Sequence, residues 1–390
     1  MKKNVLSLLL LFISLFSYSQ QIAKGVVYED TNNNGKKDRS EVGIPNVAVS
    51  NGTDVILTDE KGHYSIPVMD GNTLFMIKPS GYATAIDEDF IPQFFYHHKP
   101  NGSPKHFAYE GVAPTGKLPK SIDFPLYKQD ETDDFTAIIF GDPQTGSMAD
   151  MDYFTRKIID DVEKTDKTLF GISLGDIVGD RLDLQPVYKE RMRSIGLPWY
   201  NVIGNHDINY DALTDELSDE TFQKNFGTAN YAFNYGDAHF IILDNILIPD
   251  PRGYAYWGGY RLDQLLFLEN NLKHVPKDKL VVLSQHIHMK GDWGYRPEDR
   301  QRLFDLLKDY DNILILSAHS HLQQQIEHGT KEGWKGKTPL HEHNVATTCG
   351  DWYSGVKDAN GLPDATMRDG TPPGYAFLNI KGNSYDIDYK

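Results

Sequence analysis

The chain has 390 residues, with 39 basic against 55 acidic side chains and a formal charge of −16. That length allows two or three domains with full hydrophobic cores, and the acidity argues against broad docking on nucleic-acid phosphates. A single cysteine, Cys349, excludes an intrachain disulfide. At the N-terminus, Lys2 and Lys3 precede the apolar run Val5 to Phe16, and Ser17-Tyr18-Ser19 leads into Gln20. This pattern predicts a signal peptide over 1–19, and so an exported protein, periplasmic or extracellular. No cysteine follows the run, which argues against a lipid anchor, and no later segment is apolar and long enough to predict a membrane span.

Residues 20–130 predict an all-β sandwich domain. Alternating runs such as Gly25-Val26-Val27-Tyr28, Val47-Ala48-Val49 and His63-Tyr64-Ser65-Ile66 are separated by Asn/Gly and Asp/Gly turns. The stretch Ile44 to Val49, followed by Thr58 to Tyr64, resembles the small β-sandwich repeats of bacterial surface proteins. Within this region, residues 30–41 fit the pattern Asp-x-Asn-x-Asn-Gly-x5-Glu in full. Asp30, Asn32, Asn34 and Asp38 would offer oxygens to a structural calcium ion, Lys36 its carbonyl and Glu41 both carboxylate oxygens. The competing interpretation is an Asn-Gly turn with solvated charges. The segment Phe94 to Lys120 has no clear period and predicts an irregular excursion. His97-His98 lack partners at fixed spacing, as do His341 and His343, and are expected at a surface or between domains.

Over 131–328 strand-like runs alternate with helical periods. The runs are Thr136–Phe140, Leu169–Leu174, Trp199–Ile203, Phe240–Leu243, Leu280–Leu283 and Ile313–Leu316, and the helices fall over Asp150 to Val162, Asp263 to Lys273 and Glu298 to Lys308. The expected class is therefore α/β. The final segment, 329–390, closes on a predicted hairpin from Tyr375 to Tyr389 with its turn at Lys381-Gly382-Asn383, as an extension that completes or covers the core.

Five segments follow these strands: Gly141-Asp142-Pro143-Gln144, Gly175-Asp176, Gly204-Asn205-His206-Asp207, His286 and His319-Ser320-His321. Carboxylate, amide and imidazole groups at the ends of α/β strands suit two divalent ions sharing one site. In this order the segments resemble the motifs of calcineurin-like metallophosphoesterases, whose core has two β-sheets flanked by helices. The resemblance implies that Asp142, Gln144 and His321 hold a first metal and that Asp176 bridges. It assigns Asn205, His286 and His319 to a second metal. It leaves His206 free to protonate the leaving oxygen or stabilise the transition state, oriented by Asp207, while a hydroxide bridging the metals attacks phosphorus. Gln144 stands where the family usually has histidine. A neutral amide favours harder ions, so Mn is expected, with Fe or Zn as alternatives.

The expected activity is thus hydrolysis of a phosphate mono- or diester on a small-molecule, glycan or lipid substrate. Aromatics at Tyr210, Tyr254, Tyr256, Trp257, Trp293 and Tyr295 lie in loops after strands, where they would line a cleft. The rival expectation is a non-catalytic surface or adhesion protein built on an inactive phosphoesterase core. Retention of the metal-ligand set and His206 argues against it.

Overall fold

The computed structural model describes residues 21–249, 255–290 and 294–390. The signal-peptide segment, Tyr254 and Trp293 lie outside the described residues. Among the described residues, no helix is long and apolar enough to cross a membrane.

The N-terminal part is β-rich and contains two sheets. Gln21–Glu29 pairs antiparallel with His63–Val68 and parallel with Phe124–Lys128, in a five-stranded sheet completed by Tyr82–Ile86 and Pro92–Gln93. The second sheet orders Val55–Leu57, Ala48–Ser50, Thr73–Met76 and Phe95–His97. Residues between His97 and Phe124 form no strand. Instead they run across the neighbouring α/β unit, where the Ala108 amide donates to Asp211 Oδ2 at 2.7 Å and Tyr109 Oη donates to the Asp180 carbonyl at 3.2 Å.

Two further sheets make up the α/β part. One orders Trp199–Val202, Thr168–Leu174 and Asp134–Phe140 in parallel and adds the antiparallel hairpin Ala376–Lys381 and Ser384–Tyr389. The other orders Tyr231–Tyr235, Ala238–Ile242, Leu280–Ile287, Asn312–Ala318, Leu340–Asn344 and Gln324–His328. The last sixty residues therefore supply strands to both sheets, and a cut at 328 would divide the six-stranded one. Leu280–Ile287 is buried at every position. That explains its apolar first half, Leu280 to Leu283, since a central parallel strand is covered on both faces; Ser284, Gln285 and His286 follow where it nears the site. Ser384–Tyr389, at a sheet edge, has no fully buried residue and alternates polar side chains with Tyr385, Ile387 and Tyr389.

The two sheets face each other through aromatic rings. Phe170 lies 5.3 Å from Phe240 and 5.5 Å from Phe233, edge to face, and Phe135 lies 4.8 Å from Tyr235. The helices Met148–Lys157, Leu262–Leu272 and Pro297–Leu307 occupy the predicted places. Ser147 caps the first, its Oγ accepting from the Asp150 amide at 3.2 Å. The β-rich part packs on this unit through Phe75 against Phe267 at 5.3 Å and Phe94 against Tyr231 at 5.2 Å. A buried Lys78–Glu131 ion pair of 2.6 Å lies at the same junction, with Lys78 Nζ also donating to the Asn234 carbonyl at 2.8 Å.

Candidate metal centre

All five motif segments meet where the C-terminal ends of the parallel strands of both sheets converge. Asp142 and Asp176 each follow a strand of the first sheet, and Asn205 follows Trp199–Val202. His286 is near the end of Leu280–Ile287 and His319 directly follows Asn312–Ala318. Two motif glycines are there for close approach. A Cβ on Gly204 would sit 2.1 Å from the Asp176 nitrogen, and one on Gly175 would sit 2.6 Å from His286 Nδ1.

The ligating atoms of Asp176, His286 and His319 all lie within 4.8 Å of one another. His286 Nε2 is 3.2 Å from Asp176 Oδ2, 3.1 Å from Asn205 Oδ1 and 3.2 Å from His319 Nδ1. Asp142 Oδ1 is 3.6 Å from His286 Nδ1, and the Asp142 carboxylate accepts from the His319 amide at 3.0 Å. On the opposite side, Cys349 Sγ lies 3.8 Å from both Gln144 Oε1 and His321 Nδ1. The structure thus gathers Asp142, Asp176, Asn205, His286 and His319 tightly, and sets Gln144 and His321 together around Cys349.

Tautomers follow from the partners. His286 Nδ1 donates to the Leu174 carbonyl at 2.7 Å, and His321 Nδ1 donates to the Gly350 carbonyl at 2.7 Å. In the neutral ring each proton is thereby held on Nδ1, which leaves Nε2 as the nitrogen that could meet a metal.

The electrostatics of this cluster suit a cation. Burial pushes the Asp142 carboxyl well above the usual range. Burial also acts to raise Asp176, but His286 outweighs it and holds Asp176 low. Burial opposes a charge on His286, yet Asp176 and then Asp142 overcome it and push its pKa up to about 9. Burial, with His286 beside it, drives His319 down to about 3. Two buried carboxylates and an amide oxygen around one imidazole therefore draw in positive charge. Oxygen and imidazole donors of this kind fit a divalent ion.

Backbone strain is concentrated here. Eight of the twelve non-glycine residues with positive φ among the described residues are Asp142, Gln144, Asp176, Asp180, His319, His321, Trp352 and Tyr353. Such conformations cost about 1–3 kcal/mol each and persist where the surroundings over-determine them, commonly at functional sites.

The role assigned to Asp207 needs correction. Its buried carboxylate accepts from the amides of Gly204 at 2.9 Å, Ile177 at 3.0 Å and Val178 at 3.1 Å, and it makes no bond to His206. Asp180 is the residue that meets the His206 ring, with Oδ1 2.8 Å from Nδ1. The reason is geometric, because the turn Asn205–Asp207 points its third side chain inward, beneath the Asp176 loop. His206 Nε2 is left 4.0 Å from Asp176 Oδ2, on the centre's side.

Sequence reasoning also missed contributors from distant segments. Tyr353 Oη donates to the Pro143 carbonyl, the Cys349 amide donates to the Asp142 carbonyl at 3.2 Å, and Tyr109 supports Asp180. Only Asp180 carried a sequence signal, as the acid of the Gly-Asp-x-x-x-Asp run. Tyr256 packs edge to face on His319 at 6.0 Å, and Tyr210 is 45% exposed, so at least these two expected aromatics are available to the cleft. Trp257 and Tyr295 belong elsewhere, Tyr295 being buried against Tyr260 and Trp257 lying under Arg296. His288 lines the pocket beside His319. His97 joins Thr73 to the Gln223 carbonyl between the β-rich and α/β parts, while His98, His341 and His343 pair with other side chains away from the centre.

In the Asp30–Glu41 loop, Asp30 accepts from the amides of Asn34 at 3.3 Å and Gly35 at 2.7 Å, and Glu41 accepts from Thr31 at 3.0 Å and Asp38 at 2.9 Å. Asn32 and Asn34 turn their amide NH2 groups to Asp38 at 2.8 and 2.9 Å.

Three family models match this chain. They are the N terminal of calcineurin-like phosphoesterase over 31–112, calcineurin-like phosphoesterase over 135–323, and the C terminal of calcineurin-like phosphoesterase over 342–390. A probable glycerophosphodiester phosphodiesterase GpdQ of Arcobacter nitrofigilis is 28% identical over 157 residues, which cover 38% of this chain and 55% of that protein. The chain thus spans about half the length of that curated relative. Among solved structures, the purple acid phosphatase PPD1 of yellow lupin (Lupinus luteus) aligns over 89% of this chain and 66% of its own, with 14% identity and a TM-score of 0.47. GAP50, the anchor in the inner membrane complex of Plasmodium, aligns over 66% of this chain and 84% of its own, with 16% identity and a TM-score of 0.39.

Proposed function

The chain belongs to the calcineurin-like phosphoesterase family, and from that membership we propose that it is a hydrolase that cleaves phosphate esters with two divalent metal ions. The observation that carries this reading is the convergence of Asp176, His286 and His319 within 4.8 Å, with Asn205 and Asp142 against them. Asp142, Gln144, His321 and a shared Asp176 would hold one ion, and Asn205, His286 and His319 the other. When bound, such ions supply an activated water and offset the phosphate charge.

The chain's own groups supply the rest. Asp180 fixes His206 Nδ1 and leaves Nε2 facing the centre. There it can give a proton to the departing alkoxide. Asp207 ties Gly204 to Ile177 and Val178, so the Asn205–His206 turn is held in register with the Asp176 loop. The Leu174 and Gly350 carbonyls hold the two metal-facing imidazoles in one tautomer. The neutral Gln144 favours Mn, with Fe and Zn as alternatives. The name of the Arcobacter relative favours a diester over a monoester, on a small-molecule, glycan or lipid alcohol.

The test is hydrolysis of p-nitrophenyl phosphate and bis(p-nitrophenyl) phosphate by the full protein with added Mn²⁺, Zn²⁺ or Fe²⁺. Turnover that disappears in Asp176→Asn and falls steeply in His206→Ala supports the reading. No turnover of either ester with any of these metals sinks it and favours a non-catalytic surface role.

Two finer readings accompany it. Export rests on the basic start and apolar run of residues 2–16, and N-terminal sequencing of the mature protein would check cleavage near Gln20. A structural calcium in the Asp30–Glu41 loop rests on the full motif and on the burial of Asp30 and Glu41. Binding would turn the Asn32 and Asn34 amide oxygens inward and break the contacts that the NH2 groups of the same side chains now donate to Asp38. A melting temperature that calcium leaves unmoved in the wild type would remove this reading.

A further inference from the structure

A pocket of about 370 Å³ opens directly beside the metal-facing histidines, lined by His288, His319, His321, Asp351, Trp352 and Arg368 along with Ser320. Trp352 is its most unusual member. It is 59% exposed, while His321 beside it is 6% exposed. Its backbone is left-handed, with φ of 49°, as is that of Tyr353 at 53°. One face of the indole stacks on His321, with ring centres 4.2 Å apart and planes 27° from parallel.

This position is built rather than accidental. The Tyr353 amide donates to the Cys349 carbonyl at 2.9 Å, the Asp351 amide donates to the Ala365 carbonyl at 2.9 Å, and Tyr353 Oη is bonded to Pro143. The strained segment is thereby fastened to the same loop that carries Asp142 and Gln144. Arg368 reaches the pocket from the next turn, its Nη2 donating to the Ser320 carbonyl at 3.4 Å. That turn is anchored in its own right, since Asp369 Oδ2 accepts from the Gln323 amide at 2.8 Å. Among the described residues that line the pocket, Arg368 is the one with a permanent positive charge and Asp351 the one carboxylate.

We propose that Trp352 is a specificity-determining residue of this phosphoesterase, offering the open face of its indole to a hydroxylated ring on the alcohol arm of the substrate, with Arg368 beside it for the phosphoryl charge. This inference rests on the hydrolase reading and adds a substrate class to it. A flat ring face gains dispersion and hydrophobic contact on an indole, and the ring's hydroxyls find an acceptor in Asp351. Acyclic arms such as glycerol or choline present no such face. The ring chemistry is shared by a sugar and a nucleoside, and the experiment separates the two sources.

The probes are three methyl phosphodiesters, of glucose 6-phosphate, thymidine 5′-phosphate and ethanol, with cleavage followed by mass spectrometry on the metal-loaded full protein. The expected result is a kcat/KM for at least one ring diester about tenfold or more above that of the ethyl diester, expressed mainly in KM. Trp352→Ala should shrink that ratio about tenfold, as loss of a stacking platform does, and Trp352→Phe should restore most of it. Preference for glucose or for thymidine identifies the source of the ring. Equal kcat/KM for all three diesters in the wild type overturns the inference. So does a ratio that Trp352→Ala leaves intact, or a Trp352→Ala loss confined to kcat and equal for every substrate, which would mark a prop for His321. Bis(p-nitrophenyl) phosphate serves as the activity control. Its turnover without any ring preference sinks this inference alone, and failure to turn it over sinks the hydrolase reading itself.

Discussion

The contact between His206 and Asp180 is the most informative one to perturb, because it replaces the role that sequence order gave to Asp207. In Asp180→Asn the 2.8 Å bond to His206 Nδ1 loses its negative charge, while the fold around it needs little adjustment, the Asp180 side chain being 59% exposed. A hydrogen bond to a charged group contributes about 1.5–3 kcal/mol when sheltered. Here solvent reaches both partners, His206 being 31% exposed, so about 1–2 kcal/mol is the appropriate range. At about 1.4 kcal/mol per tenfold, kcat should fall roughly 5- to 30-fold. Removing the imidazole with His206→Ala should lose about 10²- to 10⁴-fold. Asp207→Ala should behave differently. It strips three buried backbone N–H groups of their acceptor, at about 1–3 kcal/mol each, so its main effect is a stability loss of several kcal/mol. The assay compares diesters with p-nitrophenyl and alkyl leaving groups and follows urea unfolding of each variant. An alkoxide needs a proton to depart and p-nitrophenolate does not, so the Asp180→Asn loss should be larger for the alkyl ester, and Asp180→Glu should recover part of it. If Asp180→Asn keeps wild-type kcat on both esters while a stably folded Asp207→Asn mimics His206→Ala, the assignment is wrong.

Three more outcomes are expected. His239 is buried between Asn234 Oδ1 at 2.9 Å and Asn271 Nδ2 at 2.8 Å, and burial drives its pKa down to about 3. The unfolded chain takes up that proton near pH 6.5 and the folded one does not, so this stability is whole above pH 6.5 and is lost toward pH 3. The slope is about 1.4 kcal/mol per pH unit within that window, and urea midpoints for His239→Gln should be less pH-dependent than the wild type; equal slopes would remove the assignment. Lys78→Met should destabilise by about 3–5 kcal/mol through the unpaired Glu131, and Lys78→Met with Glu131→Leu by clearly less; a double variant as unstable as the single would refute the ion-pair account. Gly204→Ala places a methyl group 2.1 Å from the Asp176 nitrogen and should abolish turnover in a chain that still folds, with metal content measured alongside; full activity would show that the loop can yield.

The centre was legible because its residues come in short local packets that each follow a strand. Gly175-Asp176 and Gly204-Asn205-His206 declare both the donor and the glycine that lets two loops touch, and strand ends are where open α/β sheets present side chains. The three main helices were legible from their apolar period. The strands Leu340–Asn344 and Gln324–His328 were not, since charged and histidine side chains at Glu327, His341, Glu342 and His343 mask the apolar pattern. Burial there is supported by pairing instead, as with His328 Nε2 on Glu342 Oε2 at 2.7 Å. The stretch Phe94 to Lys120 showed no periodicity; Phe95–His97 nevertheless forms a strand and the rest forms none, yet Tyr109 within it supports the residue that holds His206.

What the sequence determined by itself was the candidate donor set and its order along the chain, because strand ends place such side chains together. What only the tertiary structure decided was which neighbour serves which. Asp207, adjacent to His206 in the chain, turns inward to three backbone amides, and Asp180, twenty-six residues earlier, meets the ring. Cys349, Trp352 and Tyr353 reach the centre from near the other end of the chain. Sequence adjacency fixes a side chain's position to within a turn, but its direction is set by the left-handed backbone angles of these loops and by the donors they leave to be satisfied, and both exist only once the two sheets have met.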